Sequence, residues 1–177
     1  YALASRLSYF LWSSMPDDEL LKLAAAGTLS ESTTRRKQVE RMLADPKGQR
    51  FVSNFTRIWL ELDNIGKMPP SKEFLTYYRD NLESAMRNET EHFFRHILDN
   101  NLPLREFLAA DYSFLNRELA EHYGMPGLKG NHFRKVSLPD ASRAGILGHG
   151  SFLTASANGV DTSPVVRGIY LMNKLLD

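Results

Sequence analysis

Hydrophobic residues recur every three or four positions along most of the chain, which is the spacing of amphipathic α-helices. The first run, through Leu3, Leu7 and Leu11, stops before Pro16, because proline cannot continue a helix but suits the first turn of a new one. The same periodicity predicts further helices that end at the glycines and prolines of the chain. The first predicted helix contains Leu3 to Leu11 and ends at Ser13–Pro16, and the others cover residues 16–27, 30–45, 51–62, 73–98, 104–109, 116–123 and 165–176.

The longest periodic segment, from about Glu73 to Leu98, predicts one long central helix. The pattern weakens after Gly124–Gly127, so residues 128–139 are predicted to be irregular, with a short extended stretch at 133–138. We therefore predict an all-α fold, a multi-helix orthogonal or bundle-like array of about seven to nine helices.

The composition excludes several functional classes. The 42% hydrophobic and 11% aromatic content supports a packed core, and 22 basic against 21 acidic residues, with no basic stripe, disfavour nucleic-acid binding. No apolar run reaches the roughly 20 residues of a membrane span, and no signal segment is present. The absence of cysteine excludes thiolate zinc sites, a cysteine nucleophile and c-type haem attachment within these residues.

The segment Glu89–His96 holds the sharpest pattern of possible metal ligands, since Glu89 and His92 are three positions apart and His92 and His96 four apart. It lacks both the His-Glu-x-x-His order of a zinc protease and the second Glu-x-x-His helix of a di-iron bundle. We expect instead a solvated polar edge with a Glu91–Arg95 ion pair, and assign no metal ligand.

Other titratable residues are assigned structural roles. Asp17, Asp18 and Glu19 are expected to cap the second helix rather than to act as an acid–base pair. His122 and His132 are isolated histidines, a residue type that can act as an acid or base, but nothing in the pattern gives them a partner, and we expect structural roles.

The glycine-rich segment from Gly145 to Arg167 launches the last helix, and Thr162, Ser163 and Pro164 form its predicted start. The segment contains neither a phosphate-binding loop nor a nucleophile elbow. Packing and capping are its expected roles. The candidate polar site, if this segment has one, consists of His149, Ser151, Asp161, Thr162, Ser163 and Arg167.

Three strings, Ala2–Leu20, Arg41–Pro46 and Asp111–Asn116, closely resemble the planctomycete helical family known as domain of unknown function 1592. The resemblance covers about residues 1–128. It offers no catalytic residue to transfer to this sequence.

A second resemblance follows in the chain. Arg143–Leu147, Ser151–Thr154 and Thr162–Gly168 look like the opening of domain of unknown function 1588. The two resemblances imply a helical domain at 1–128, a linker at 129–139 and the beginning of a second domain at 140–177. Because the sequence starts at Tyr1 without methionine and stops just after an apolar helix, we expect both ends to be domain cuts.

The resemblance also implies a large, exported planctomycete protein, periplasmic or on the cell surface, with cytochrome-c-like modules. A c-type haem is expected in the parent protein, at a Cys-x-x-Cys-His motif outside this chain, and no cofactor is expected within it. The expected partners are other domains of the same parent chain.

The leading functional hypothesis is therefore a non-catalytic scaffold or interaction domain of an electron-transfer protein. One alternative is an enzymatic domain, glycan-active or an oxidoreductase, with a pocket at residues 145–167. Another is a carbohydrate- or protein-binding module that uses exposed rings, for which the candidates are Trp12, Tyr77, Tyr78 and Tyr112.

Overall fold

The computed structural model describes residues 1–68, 70–73, 77, 81–157 and 163–176. This part of the chain is mainly helical, as predicted. Its α-helices are α1 (Ala2–Trp12), α2 (Asp18–Ala25), α3 (Ser32–Ala44), α4 (Gln49–Trp59), α5 (Leu82–Asp99), α6 (Glu106–Ala109), α7 (Arg117–His122), α8 (Gly150–Ala155) and α9 (Pro164–Leu171). A π-helical turn, Met172–Leu176, extends α9.

Two strands complete the described structure. β1 (Tyr112–Leu115) and β2 (Arg134–Ser137) pair antiparallel, with Tyr112 opposite Ser137. β2 lies in the predicted extended stretch, whereas β1 was not predicted. None of the helices in the described ranges is long and apolar enough to cross a membrane.

Residues 1–55 form one compact unit, whose core contains α1, α2 and α3. Trp12, at the end of α1, is buried, and its indole N–H donates to the Met42 carbonyl at 2.8 Å. A helix would normally satisfy that carbonyl with the N–H four residues later, but that residue is Pro46, which has none. The Trp12 indole N–H thus takes the place of the backbone N–H that is missing at Pro46.

Residues 56–177 form the second compact unit. Its longest helix, α5, packs against β1, α7 and α8, and one face of it carries the buried side chains Leu82, Met86, Phe93 and Ile97. These contacts place the middle of α5 at the centre of the unit's side-chain packing.

The predicted long helix beginning near Glu73 is not observed as such. Glu73 lies in a turn, and α5 begins at Leu82 because the preceding Asn81 adopts a left-handed conformation with φ 49°. Residues 74–76 and 78–80 lie outside the described part of the chain. The division into domains at 128 and 140 stays a prediction.

Candidate functional site: a buried polar cluster

A group of polar side chains is buried where α5, β1, the end of α7 and the start of α8 meet, all within the unit of residues 56–177. We call it the polar cluster, and its members are Glu89, Thr90, Ser113, Tyr123, His149 and Ser151. Tyr123 is partly buried, and the other five are at most 2% exposed. Buried polar groups normally have internal hydrogen-bond partners, and each of these side chains has at least one within the cluster.

Glu89 is the centre of one half of the cluster. Ser113 Oγ donates to its Oε1 at 2.6 Å, and Tyr123 Oη donates to its Oε2 at 2.6 Å. The Gly150 N–H lies 3.3 Å from the same Oε2 and 2.6 Å from Tyr123 Oη. The carboxyl group thereby connects α5 to three other segments of the chain.

Burial raises the pKa of Glu89 to about 7, although its three hydrogen-bond donors favour the charged form. Burial, together with the adjacent Glu89 carboxyl group, raises the pKa of Tyr123 well above its usual value. The Arg143 guanidinium lies over the Tyr123 ring, 3.9 Å from its centroid, as in a cation–π contact.

Thr90 organises the other half. Its Oγ1 lies 3.1 Å from His149 Nδ1 and 2.6 Å from Ser151 Oγ. Burial lowers the pKa of His149 to about 3, so the imidazole is neutral at physiological pH. The ring of Phe93 meets it edge-on at 4.8 Å between centroids, and within the described part of the chain His149 Nε2 has no hydrogen-bond partner.

Helix periodicity and one glycine explain how the sequence builds this cluster. Glu89 stands three residues after Met86 and four before Phe93, so it shares the apolar face of α5 and points into the core. A Cβ on Gly150 would lie 2.7 Å from Met86 Cγ and 2.8 Å from Tyr123 Oη. Only glycine lets the backbone N–H at this position reach the tyrosine.

The prediction that Glu89 lies on a solvated edge is therefore wrong. The same helix periodicity could have identified Glu89 as buried, because a single acid on the apolar face of a helix needs buried hydrogen-bond donors. Sequence reasoning also missed Thr90, Ser113 and Tyr123, which become partners only after β1 and α7 fold against α5.

The predicted site residues of the 145–167 segment separate in the structure. His149 and Ser151 belong to the polar cluster. Ser163 instead caps α9, accepting from the Val166 N–H at 3.4 Å, and Arg167 Nε donates to Ser156 Oγ at 3.3 Å. Asp161, Thr162 and Gly159 lie outside the described residues.

His92 and His96 do not converge on a common ligand position. His92 lies 2.8 Å from the Asn88 carbonyl through Nδ1, and His96 Nε2 faces Lys135 Nζ at 3.2 Å. In the described ranges, no three His, Cys, Asp or Glu side chains are grouped so that they could hold a metal ion. Arg95 forms an ion pair with Asp99 at 2.7 Å.

The remaining candidates have local contacts. Asp17 caps α2 by accepting from the Leu20 N–H, as predicted, and also pairs with Arg41 at 2.8 Å. His122 and His132 are exposed.

The three aromatic candidates that the structure describes do not form an exposed binding platform. Trp12 is 1%, Tyr77 5% and Tyr112 6% exposed. These rings are therefore unable to stack on a ligand from solvent. Tyr78 lies outside the described residues.

The burial of the polar cluster limits its chemistry. Glu89 is 1% exposed and His149 and Ser151 are 0% exposed, so a substrate from solvent does not reach them in this conformation. What the arrangement does is fasten α5 to β1, to Tyr123 and to the start of α8 through charge-assisted and neutral hydrogen bonds.

The surface of the last helix has the opposite character. Val165, Ile169, Met172 and Leu176 follow one another at helical spacing and are 70%, 55%, 61% and 69% exposed. We call these four residues the apolar stripe. The buried Tyr170 lies between them in sequence and donates its hydroxyl to the Leu60 carbonyl.

Comparison with known proteins places the chain in a family without assigning an activity. The family described as PSD4, protein of unknown function (DUF1592), matches residues 1–125. The chain belongs to the DUF1592 family. No curated protein and no solved structure matches it.

The polar cluster includes residues on both sides of the end of this match. Glu89, Thr90, Ser113 and Tyr123 lie within the DUF1592 region, whereas His149 and Ser151 lie after it. The cluster therefore fastens the segment after residue 125 to the DUF1592 helices by buried hydrogen bonds.

Proposed function

We propose that this chain is a non-catalytic helical scaffold or interaction domain of a large, exported planctomycete protein of the cytochrome-c type. Its haem site lies in another part of that protein, downstream of a domain that begins near residue 140 and is similar to domain of unknown function 1588. The DUF1592 match supports membership of a family with no assigned activity.

The apolar stripe is the observation that carries this proposal. Four large apolar side chains on one helical face, each more than half exposed, are costly to leave in water. Covering each of them contributes about 1 kcal/mol of binding free energy. The proposed occupant of this face is another domain of the same parent chain.

The polar cluster supports a non-catalytic role. Its side chains hydrogen-bond to one another inside the unit, although His149 Nε2 has no partner within the described residues, and the shifted pKa values of Glu89 and His149 follow from their burial. Shifted pKa values also occur in structural networks, so they do not by themselves indicate catalysis.

The experiment is to purify the full-length parent, record its haem absorption, and compare it with a parent that carries Val165→Ser and Ile169→Ser in the apolar stripe. We expect a c-type haem spectrum in both, with the substitutions weakening domain assembly, measured by limited proteolysis, but not haem attachment. A parent without haem, or domain assembly that the substitutions leave unchanged, would contradict the proposal.

One observation favours the enzymatic alternative, because His149, Thr90 and Ser151 do converge in the segment where that alternative requires a pocket. It requires an opening that exposes Ser151. A parent hydrolase or oxidoreductase activity that is lost in Ser151→Ala, with unfolding free energy retained, would support the enzyme and contradict the scaffold.

A further inference from the structure

A second polar feature faces solvent in the unit of residues 56–177. It is a cleft of about 170 Å³ between the start of α5, the start of α7 and the loop before β2. Its lining is mainly formed by Asn81, Asn88, Asn116, Glu118, Asn131 and Phe133. Four amides, one carboxylate and one aromatic ring in so small a space are a distinctive set.

Several of these amides have hydrogen-bonding capacity left. Within the described part of the chain, the side chains of Asn81 and Asn131 make no hydrogen bond, and both residues are exposed. Asn88 Nδ2 donates to the Ser84 carbonyl at 2.8 Å, which leaves its carbonyl oxygen to accept. The cleft thus presents donors and acceptors side by side.

Glu118 is held in a fixed orientation at the other side of the cleft. Asn116 Nδ2 donates to its Oε2 at 2.7 Å, and Arg117 pairs with its Oε1 at 2.9 Å. Each carboxylate oxygen has a second lone pair, so Glu118 retains acceptor capacity. Arg117 also balances its charge, so the cleft carries no strong net charge.

Phe133 supplies the apolar wall. Its ring stacks on His92 with 4.9 Å between centroids and an interplanar angle of 19°, which holds it in place. The remaining surface of the ring lines the cleft. An apolar wall beside a few oriented polar groups is the usual composition of a small-molecule site.

We propose that this cleft binds a neutral saccharide and accommodates one pyranose ring. Hydroxyl groups both donate and accept, as the amides do, and the C–H face of a pyranose is apolar and suits Phe133. The volume is below the roughly 300 Å³ at which sites for drug-sized ligands begin, which favours one ring of a longer chain. The balanced charge of Glu118 disfavours phosphorylated ligands. This inference is independent of the proposed scaffold function.

The test is calorimetric titration and NMR of the intact chain with cellotetraose, chitotetraose and mannotetraose, beside a blocked tripeptide as a different class of probe. We expect at least one oligosaccharide to bind with a Kd on the order of 1 mM, as for a small neutral ligand. Asn131→Ala and Asn81→Gly should each weaken binding about 3- to 10-fold through the loss of one hydrogen bond. Glycine at position 81 keeps the left-handed backbone.

Asn173→Ala is the matched control, because Asn173 is an exposed asparagine on the π-helical turn and does not line the cleft. It should leave the Kd unchanged. Three results overturn the proposal: no oligosaccharide binding at about 10 mM, equal weakening by the control variant, or binding of the peptide alone. Circular dichroism verifies that each variant is folded.

Discussion

Replacing Glu89 by glutamine should change how the stability of the unit of residues 56–177 depends on pH. Burial raises the pKa of Glu89 from 4.5 to about 7 in the folded state. Between these two values the folded protein keeps a proton that the unfolded chain has lost, so its free energy of unfolding falls as pH rises. Integrated over that interval, the loss is about 3 kcal/mol.

His149 acts in the opposite direction. Burial lowers its pKa from 6.5 to about 3, so between these values the unfolded chain binds a proton that the folded protein does not. The free energy of unfolding therefore rises with pH over this interval, by about 5 kcal/mol in total. Where the intervals overlap, from 4.5 to 6.5, two slopes of about 1.4 kcal/mol per pH unit cancel.

The wild-type chain should consequently show little pH dependence from these two groups between pH 4.5 and 6.5. Glu89→Gln removes the fall in the free energy of unfolding that the ionisation of Glu89 causes. The free energy of unfolding of the variant, relative to wild type, should therefore increase by about 3 kcal/mol from pH 4.5 to 8. His149→Gln is the matched variant, and its stability relative to wild type should increase as pH falls from 6.5 to 3.

The assay is urea unfolding at a series of pH values, monitored by hydrogen exchange of the α5 amides. These amides report the free energy of unfolding of the unit that contains the polar cluster. Only the pH-dependent difference is predicted, since each substitution also alters local hydrogen bonds. Parallel pH profiles for wild type and Glu89→Gln would refute the reasoning.

Two further predictions concern particular backbone positions. Trp12→Phe should lower the free energy of unfolding of the unit of residues 1–55 by about 1–3 kcal/mol, measured by chemical denaturation. The reason is that the buried Met42 carbonyl loses its indole donor, and Pro46 has no N–H to replace it. Gly145→Ala should lower the melting temperature sharply, since φ is 59° and a Cβ would lie 2.5 Å from a backbone oxygen of α6. Gly168→Ala, the matched control in α9 with no atom within 4 Å, should instead stabilise by about 1 kcal/mol; a melting temperature that falls equally in both would contradict this explanation.

The helices that end at strong local signals could be predicted from the sequence. α1 ends at Trp12 before Pro16, α3 ends at Ala44 before Pro46, and Pro164 begins α9. The end of α3 and the start of α9 depend on the fixed φ and missing N–H of proline, which are local properties of the chain, whereas α1 ends where Ser13 adopts a left-handed conformation with φ 51°.

The start of α5 and the strand β1 could not be predicted in the same way. Asn81 adopts a left-handed backbone, which asparagine tolerates better than most residues, but asparagine also occurs inside helices, so its residue type alone does not locate the start of α5. The four residues of β1 become a strand because β2, about twenty positions later, supplies their hydrogen bonds.

Two of the six residues of the polar cluster were accessible to sequence reasoning. His149 and Ser151 were identified from the glycine-rich segment, but their partner Thr90 is 59 and 61 residues away. Such pairings depend on the folded packing of α5 against α8. Glu89 was assigned to the wrong face because its polar neighbours His92 and Arg95 outweighed its register with Met86.

The central claim, that the apolar stripe is a domain interface, is tested most directly by thiol labelling, because the chain contains no cysteine. Ile169→Cys reports the stripe, and Lys37→Cys, at an exposed position of α3, is the control. In the isolated chain both should react rapidly with a maleimide. In the full-length parent, we predict that Ile169→Cys reacts with the maleimide at least about tenfold more slowly than in the isolated chain, while Lys37→Cys keeps its rate. A tenfold slowing corresponds to an interface that opens at a free-energy cost of about 1.4 kcal/mol. Equal labelling of both positions in the parent would contradict the account.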